Sequence, residues 1–209
     1  MKNLSDSEIL IAKGFELYDW LTPRLDGLEI KKGKRVLLSV GCLDQAIEHH
    51  VAICCLLKSK VNGSAFALVR LIFESFVRGV WLKNCATDEQ LSQYQNDSLN
   101  LKFWQLLDAI EILEGFQSGI LTQLKKSAWK AMNSYTHTGF QQASRRFGKE
   151  LIEPTYTDAE VIEVLKISGS FAILSFQQIA AEGNRLDLAQ EAGELLAGTM
   201  ENFRDKTAT

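Results

Sequence analysis

Residues Gly63–Leu82 read GSAFALVRLIFESFVRGVWL. The stretch has no proline, and its apolar side chains recur on every face of a 3.6-residue period, the pattern of a helix packed on several sides. Arg70, Glu74 and Arg78 interrupt it at intervals of four, so they form one slightly drifting stripe flanked by Ala67, Leu71, Val77 and Trp81. Burying unpaired ions there costs several kcal/mol each. The expected solution is an Arg–Glu–Arg network that fixes helix register, completed by Asp44 and Glu48 of the preceding helix. The functional alternative leaves one arginine facing a cleft, ready for a phosphate or other anion.

Outward from this helix the same period dominates, and strand-like alternation is not found. Ser5-x-x-Glu8, Thr87-x-x-Gln90 and Thr157-x-x-Glu160 are capping boxes that start helices. Helices are predicted near 5–21, 33–60, 63–84, 87–96, 100–114, 119–137, 157–182 and 185–203. Breaks fall at Pro23, Asn62-Gly63, Gly115, Gly139 and Pro154. Segment 138–156 is expected to hold a short helix followed by a loop. The short connection Lys60–Gly63 makes the second and third helices an antiparallel hairpin. The expectation is therefore an all-α fold: one antiparallel helical bundle of about 7–8 helices spanning 1–209, frayed over about 204–209.

Composition excludes little but is consistent with that reading. The 209 residues are 46% hydrophobic and 23% charged, with a formal net charge of −3, which gives no global pull toward nucleic acid or membrane. The N-terminal pattern is not that of a signal peptide, and the nearest approach to a membrane span is Gly63–Leu82 itself, with its three charges. Cys42, Cys54, Cys55 and Cys85 form no CxxC pair, which suits a reducing, cytoplasmic setting. No cofactor or membrane partner is expected.

Three histidines carry the remaining chemistry. Glu48-His49-His50 are consecutive and point in three directions around one helix, and no second Glu-x-x-His follows, so no metal site is expected. His50 faces the stripe of Val36, Val40, Leu43, Ile47 and Cys54 and reads as a hydrogen-bonded core histidine. His137 ends a helix on which Lys130, Asn133 and His137 share one face, while Leu121, Leu124, Ala128, Met132 and Tyr135 form the opposite one. From Gly115 through Lys149 there is no Asp or Glu. Lys125, Lys126, Lys130, Arg145, Arg146 and Lys149 fall there with Phe116, Trp129, Tyr135, Phe140 and Phe147 between them. A basic zone with interleaved aromatics suits phosphate contact and base stacking, and equally an acidic protein partner or an oligomer contact.

The strings GCLDQAIEHHVAI, ALVRLIFESFVRGVWL and AWKAMNSYTHTGFQQASRR resemble a group of bacterial helical proteins known only as a domain of unknown function. The likeness runs from Gly41 to about Glu160 and centres on Arg70-x-x-x-Glu74 and Ser134-Tyr135-Thr136-His137. A more distant resemblance is to HEPN-like domains, helical bundles that commonly dimerise, many of them metal-independent ribonucleases of defence and toxin–antitoxin systems. That resemblance implies an Arg four to six residues before His on one helix. His137 takes the histidine position, but no arginine precedes it at that interval. Lys130 lies on the correct face, and Arg70 or Arg78 of the third helix would have to supply the guanidinium.

Three readings follow. In the first, His137, Lys130, Asn133 and Arg70 cleave RNA without metal, with Arg78, Glu74, Tyr135, Trp129, Arg145 and Arg146 as binding residues. In the second, a non-catalytic module binds RNA, a nucleotide or an acidic protein through the basic-aromatic zone. In the third, a structural homodimer carries a buried Arg–Glu–His network.

Overall fold

The computed structural model describes residues 4–148 and 150–204, and these contain nine helices: α1 (Asp6–Leu25), α2 (Lys34–Lys58), α3 (Asn62–Asn84), α4 (Asp88–Gln95), α5 (Phe103–Ile110), α6 (Ile120–Thr136), α7 (Phe140–Ser144), α8 (Asp158–Glu182) and α9 (Leu186–Arg204). The fold is all-α. Beyond Arg204, the expected frayed end lies outside the described residues.

The three capping boxes form as the sequence predicts. Each hydroxyl of Ser5, Thr87 and Thr157 accepts from the backbone N–H three residues on, and the Glu or Gln there answers the cap. Pro23, expected to end the first helix, instead sits in its last turn, and α1 runs to Leu25. Proline removes one backbone donor, and near a helix end that loss is spread over a turn already reinforced by side chains. Thr22 Oγ1 donates to the Tyr18 carbonyl at 2.8 Å, and Arg24 Nη1 donates to that of Trp20 at 2.9 Å.

The α2–α3 hairpin is the centre of the molecule, turning at Ser59–Val61 through the left-handed Lys60, φ 59°. Helix α8 packs on both its arms, α1 lies against α2 and α8, α9 covers α8, and α5 and α6 cover α3. Phe73, Phe76 and Phe176 are fully buried, and Phe171 contacts both Phe73 and Phe76 with centroids 5.3 and 5.2 Å away. Among the described helices α2, more than the Gly63–Leu82 stretch, is long and apolar enough to cross a membrane by composition. Its apolar side is core here, with Leu43, Ala46, Ile47, Ile53, Cys54 and Leu57 buried.

Close approach of α2 and α3 depends on one glycine. Ser39 Oγ donates to the Gly79 carbonyl at 2.7 Å, and a Cβ at Gly79 would meet Leu43 Cγ at 2.7 Å and the Ser39 carbonyl at 3.1 Å. Both neighbours are buried, so neither can step aside. Gly79→Ala is expected to cost about 1–3 kcal/mol by forcing the hairpin apart. Urea denaturation measures it, and an unchanged midpoint would show that the arms yield freely.

His50 is the core histidine the sequence suggests. It is buried, its Nδ1 lies 3.0 Å from Ser168 Oγ of α8, and its Nε2 lies 3.3 Å from the Gly14 carbonyl of α1. One side chain of α2 thus ties together the helices on either side of it.

Candidate functional site

The site grows from the end of α6. His137 is its C-cap, Thr138 follows at φ 54°, and Gly139 N–H returns to the Ser134 carbonyl at 2.7 Å. This is the long bond of a Schellman turn. A Cβ at Gly139 would come within 2.5 Å of Ser134 Oγ, so only glycine lets the chain fold back so tightly into α7. The turn leaves the His137 ring projecting from the helix end. Thr136 Oγ1, bonded to the Ala67 carbonyl at 3.3 Å, fastens that end to α3.

Arg70 meets the ring there. Its Nη1 donates to His137 Nε2 at 2.6 Å, and its Nε donates to Glu74 Oε1 at 2.7 Å. A guanidinium can only donate, so Nε2 acts as a lone-pair acceptor and a neutral ring carries its proton on Nδ1. The guanidinium carbon also lies 4.8 Å over the Trp129 ring, and that ring is stacked on Phe103 of α5 at 4.7 Å and 13°. Cation–π contact of this kind is worth roughly 0.5–2 kcal/mol, and with the largely buried ion pair it fixes the direction of the guanidinium. The Arg70 side chain retains 19% exposure, and His137 is exposed. A charged donor and an acid–base group therefore stand together at the surface, on helices 67 residues apart in sequence.

Trp129, Asn133 and His137 recur every four residues along α6, and Arg70 touches the first and the last. Asn133 lies between them, and its Oδ1 is buried with no hydrogen-bond partner. A buried amide oxygen without a donor costs about 1–3 kcal/mol, an expense usually found where something else must bind or move. Lys130, on the same side, is exposed and makes no ion pair or hydrogen bond to Arg70 or His137.

The remaining residues of the charged row and the basic zone lie elsewhere. Arg78 does not join Glu74, Asp44 or Glu48 in a network. Its guanidinium lies 5.6 Å from the Tyr94 ring centroid on α4, beside Cys42. Asp44 and Glu48 turn to the other side of α2, where they border a hollow with Tyr18, Thr22 and Pro23 of α1. Burial first, and then the neighbouring Glu48, hold the Asp44 carboxyl above its ordinary range, as expected where no cation compensates. Tyr135 is buried, 5.2 Å from Phe66, so its ring cannot stack on a base. Arg145 is partly exposed, but its guanidinium is already engaged: it bonds Tyr135 Oη at 3.3 Å, the Thr155 carbonyl at 3.3 Å, and the Glu160 carboxylate. Trp129 is half-buried beneath Arg70, whereas Arg146 is exposed. Among the described residues no three His, Cys, Asp or Glu side chains converge as a metal-ligating group.

Sequence reasoning missed Phe103, which backs the Trp129 ring, and the Thr138-Gly139 turn that aims His137. The glycine was visible as a break; its tight contact with Ser134 was not.

Fold and site together define an all-helical protein with an exposed Arg–His pair clasped between two core helices. A model of DUF6988, a family of unknown function, matches residues 43–205, and the chain belongs to that family. The match contains α3, α6 and both members of the pair. No curated protein and no solved structure matches.

Proposed function

We propose that this protein binds RNA at the Arg70–His137 pair and cleaves it without a metal ion, in the manner of HEPN-like ribonucleases but with the arginine supplied by a different helix. The observation that carries this reading is the 2.6 Å contact between Arg70 Nη1 and His137 Nε2. It puts an anion-binding group and an acid–base group within reach of one phosphodiester. A bound phosphate competes for the Arg70 donors and draws them off the ring, so Nε2 becomes free to accept a proton. His137 then takes the proton of a ribose 2′-hydroxyl as its oxygen attacks the adjacent phosphorus. The P–O5′ bond breaks, and the departing 5′-oxygen takes a proton back from His137. The products are a 2′,3′-cyclic phosphate and a 5′-hydroxyl. Arg70, held by Glu74 and Trp129, stabilises the charge that builds on the phosphoryl oxygens.

The test is cleavage of labelled RNA in chelator by wild type and His137→Ala, with the products examined for a cyclic phosphate. Equal absence of cleavage would leave the pair as a clasp between α3 and α6.

Asn133 supplies an independent check. Its unpaired Oδ1 contributes nothing to the resting fold, so Asn133→Ala is expected to leave the melting temperature unchanged or raise it while cleavage falls at least tenfold. Loss of stability together with unchanged cleavage would make Asn133 an ordinary packing residue.

A further inference from the structure

Between Gly115 and Lys149 the structure sorts the aromatics and cations into two groups. Phe116, Trp129 and Tyr135 are used internally, against Phe76, Phe103 and Phe66. Phe140 and Phe147 are not: they are 80% and 66% exposed. Arg145 is consumed by Tyr135 and Glu160, while its neighbour Arg146 is exposed. The two free rings and Arg146 all lie on α7 and the turn that follows it. Phe140 is three positions past His137, so their Cα atoms are at most ~11 Å apart.

A recess of about 190 Å³ opens beside them, lined by Gly63, Ser64, Thr138, Gln142, Ala143 and Arg146. It begins one residue past His137. It is smaller than the roughly 300–1,000 Å³ of a site that encloses a whole small molecule. A phosphate group fits such a space, with its nucleoside left outside. Ser64 and Arg70 are six residues apart on α3, about 9 Å of helix rise, close enough for neighbouring phosphates of one strand. Gly63 sits close under this recess: a Cβ there would stand 3.1 Å from Tyr156 Oη, a tight contact, and 3.6 Å from Arg146 Nη2, an ordinary one. The Tyr156 hydroxyl is itself buried with no hydrogen-bond partner.

We infer that α7 and the recess form a backbone-and-base subsite for single-stranded RNA, Arg146 holding the phosphate next to the one engaged by Arg70 and Phe140 stacking on an unpaired base. This rests on the RNA reading of the Arg70–His137 pair and adds strandedness to it. A duplex buries its base faces and offers nothing for Phe140 to stack on, whereas an unpaired strand offers both phosphate and ring. Phe147 extends the same surface. The charge of the zone favours this partner, since no carboxylate occurs between Gly115 and Lys149.

The experiment measures binding of fluorescein-labelled oligouridylate and of an RNA duplex by anisotropy, in chelator, for wild type, Phe140→Ala, Arg146→Ala and His137→Ala. Phe140 and Arg146 are exposed, so their variants should keep the wild-type melting temperature. Each is expected to bind the single strand about tenfold more weakly, with duplex binding weak throughout. Arg146→Ala should also lower the slope of log K against log salt by about 0.7. Wild-type affinity in both variants, with cleavage still lost in His137→Ala, would overturn this subsite and leave the RNA reading standing. Binding of neither RNA by wild type would overturn both. Dissociation of a wild-type dimer by Phe140→Ala, seen in sedimentation with RNA affinity unchanged, would assign the surface to a second copy of the chain and overturn the subsite.

Discussion

Replacing His137 by alanine is expected to slow RNA cleavage in chelator by about 10²–10⁴-fold, the usual contribution of one positioned acid–base group. Arg70→Ala should fall in the same range, because the guanidinium stabilises charge that exists only as the phosphoryl oxygens are attacked. Arg70→Lys is the sharper variant. Lysine keeps the charge but loses the planar fork that reaches Glu74 and the imidazole together while lying flat over Trp129. It should stay close to Arg70→Ala. The stability cost is small by comparison: His137→Ala removes one exposed hydrogen bond to a charged donor, on the order of 1–2 kcal/mol. For a chain of this size that lowers the melting temperature by only about 2–8 °C. Activity and stability thus separate the two roles of the pair. A drop in melting temperature with no cleavage in wild type would make it a strut between α3 and α6.

The second large effect is a loss of stability in mild acid caused by His50. Burial, only partly offset by the hydrogen bond to the Gly14 carbonyl, pushes its pKa down from 6.5 to about 4. The folded chain therefore keeps the ring neutral where the unfolded chain protonates it. Above pH 6.5 both forms are neutral, and the full stability is present. As pH falls below 6.5 the unfolded state takes up the proton first, so stability declines by about 1.4 kcal/mol per pH unit. Near pH 4 the folded form protonates as well and the loss levels off, at about 3 kcal/mol in total. Urea denaturation between pH 7 and pH 4 measures this, and His50→Gln isolates it from the titrating carboxylates. Glutamine still offers a donor for the Gly14 carbonyl but has no proton to gain. The pH dependence of His50→Gln should be flatter by that amount; identical curves would mean that the ring titrates normally inside the fold.

Much of this was legible in the sequence because helices are local objects. The caps at Ser5, Thr87 and Thr157, the apolar period of α3 and the short α2–α3 connection depend on residues within a few positions of one another. So does the Arg70–Glu74 pair, which four-residue spacing places on one stripe. The placement of His50 followed from its position among Val36, Val40, Leu43, Ile47 and Cys54. Arg78 shows where that logic stops. Its level along the hairpin suggested Asp44 and Glu48, but level does not fix rotation, and α2 turns those carboxylates toward α1 while α4 brings Tyr94 to the guanidinium.

The basic-aromatic zone divides along the same line. The sequence established a run of cations and rings without a carboxylate. The apolar face of α6 already pointed Tyr135 inward, but nothing local signalled that Arg145 would be tied to Tyr135 and Glu160 while Phe140 and Arg146, a few residues away, stay outside. By itself the sequence determined an all-helical chain and where its capped helices start, while α1 ran past Pro23 to Leu25 and α5 shrank to Phe103–Ile110. It also singled out Arg70–Glu74 and His137 as separate candidates. Only the tertiary structure decided that they meet. Contact across 67 residues depends on how α3 and α6 are rotated and staggered in the core, and on the Thr138-Gly139 turn that aims the ring, none of which has a local period to reveal it.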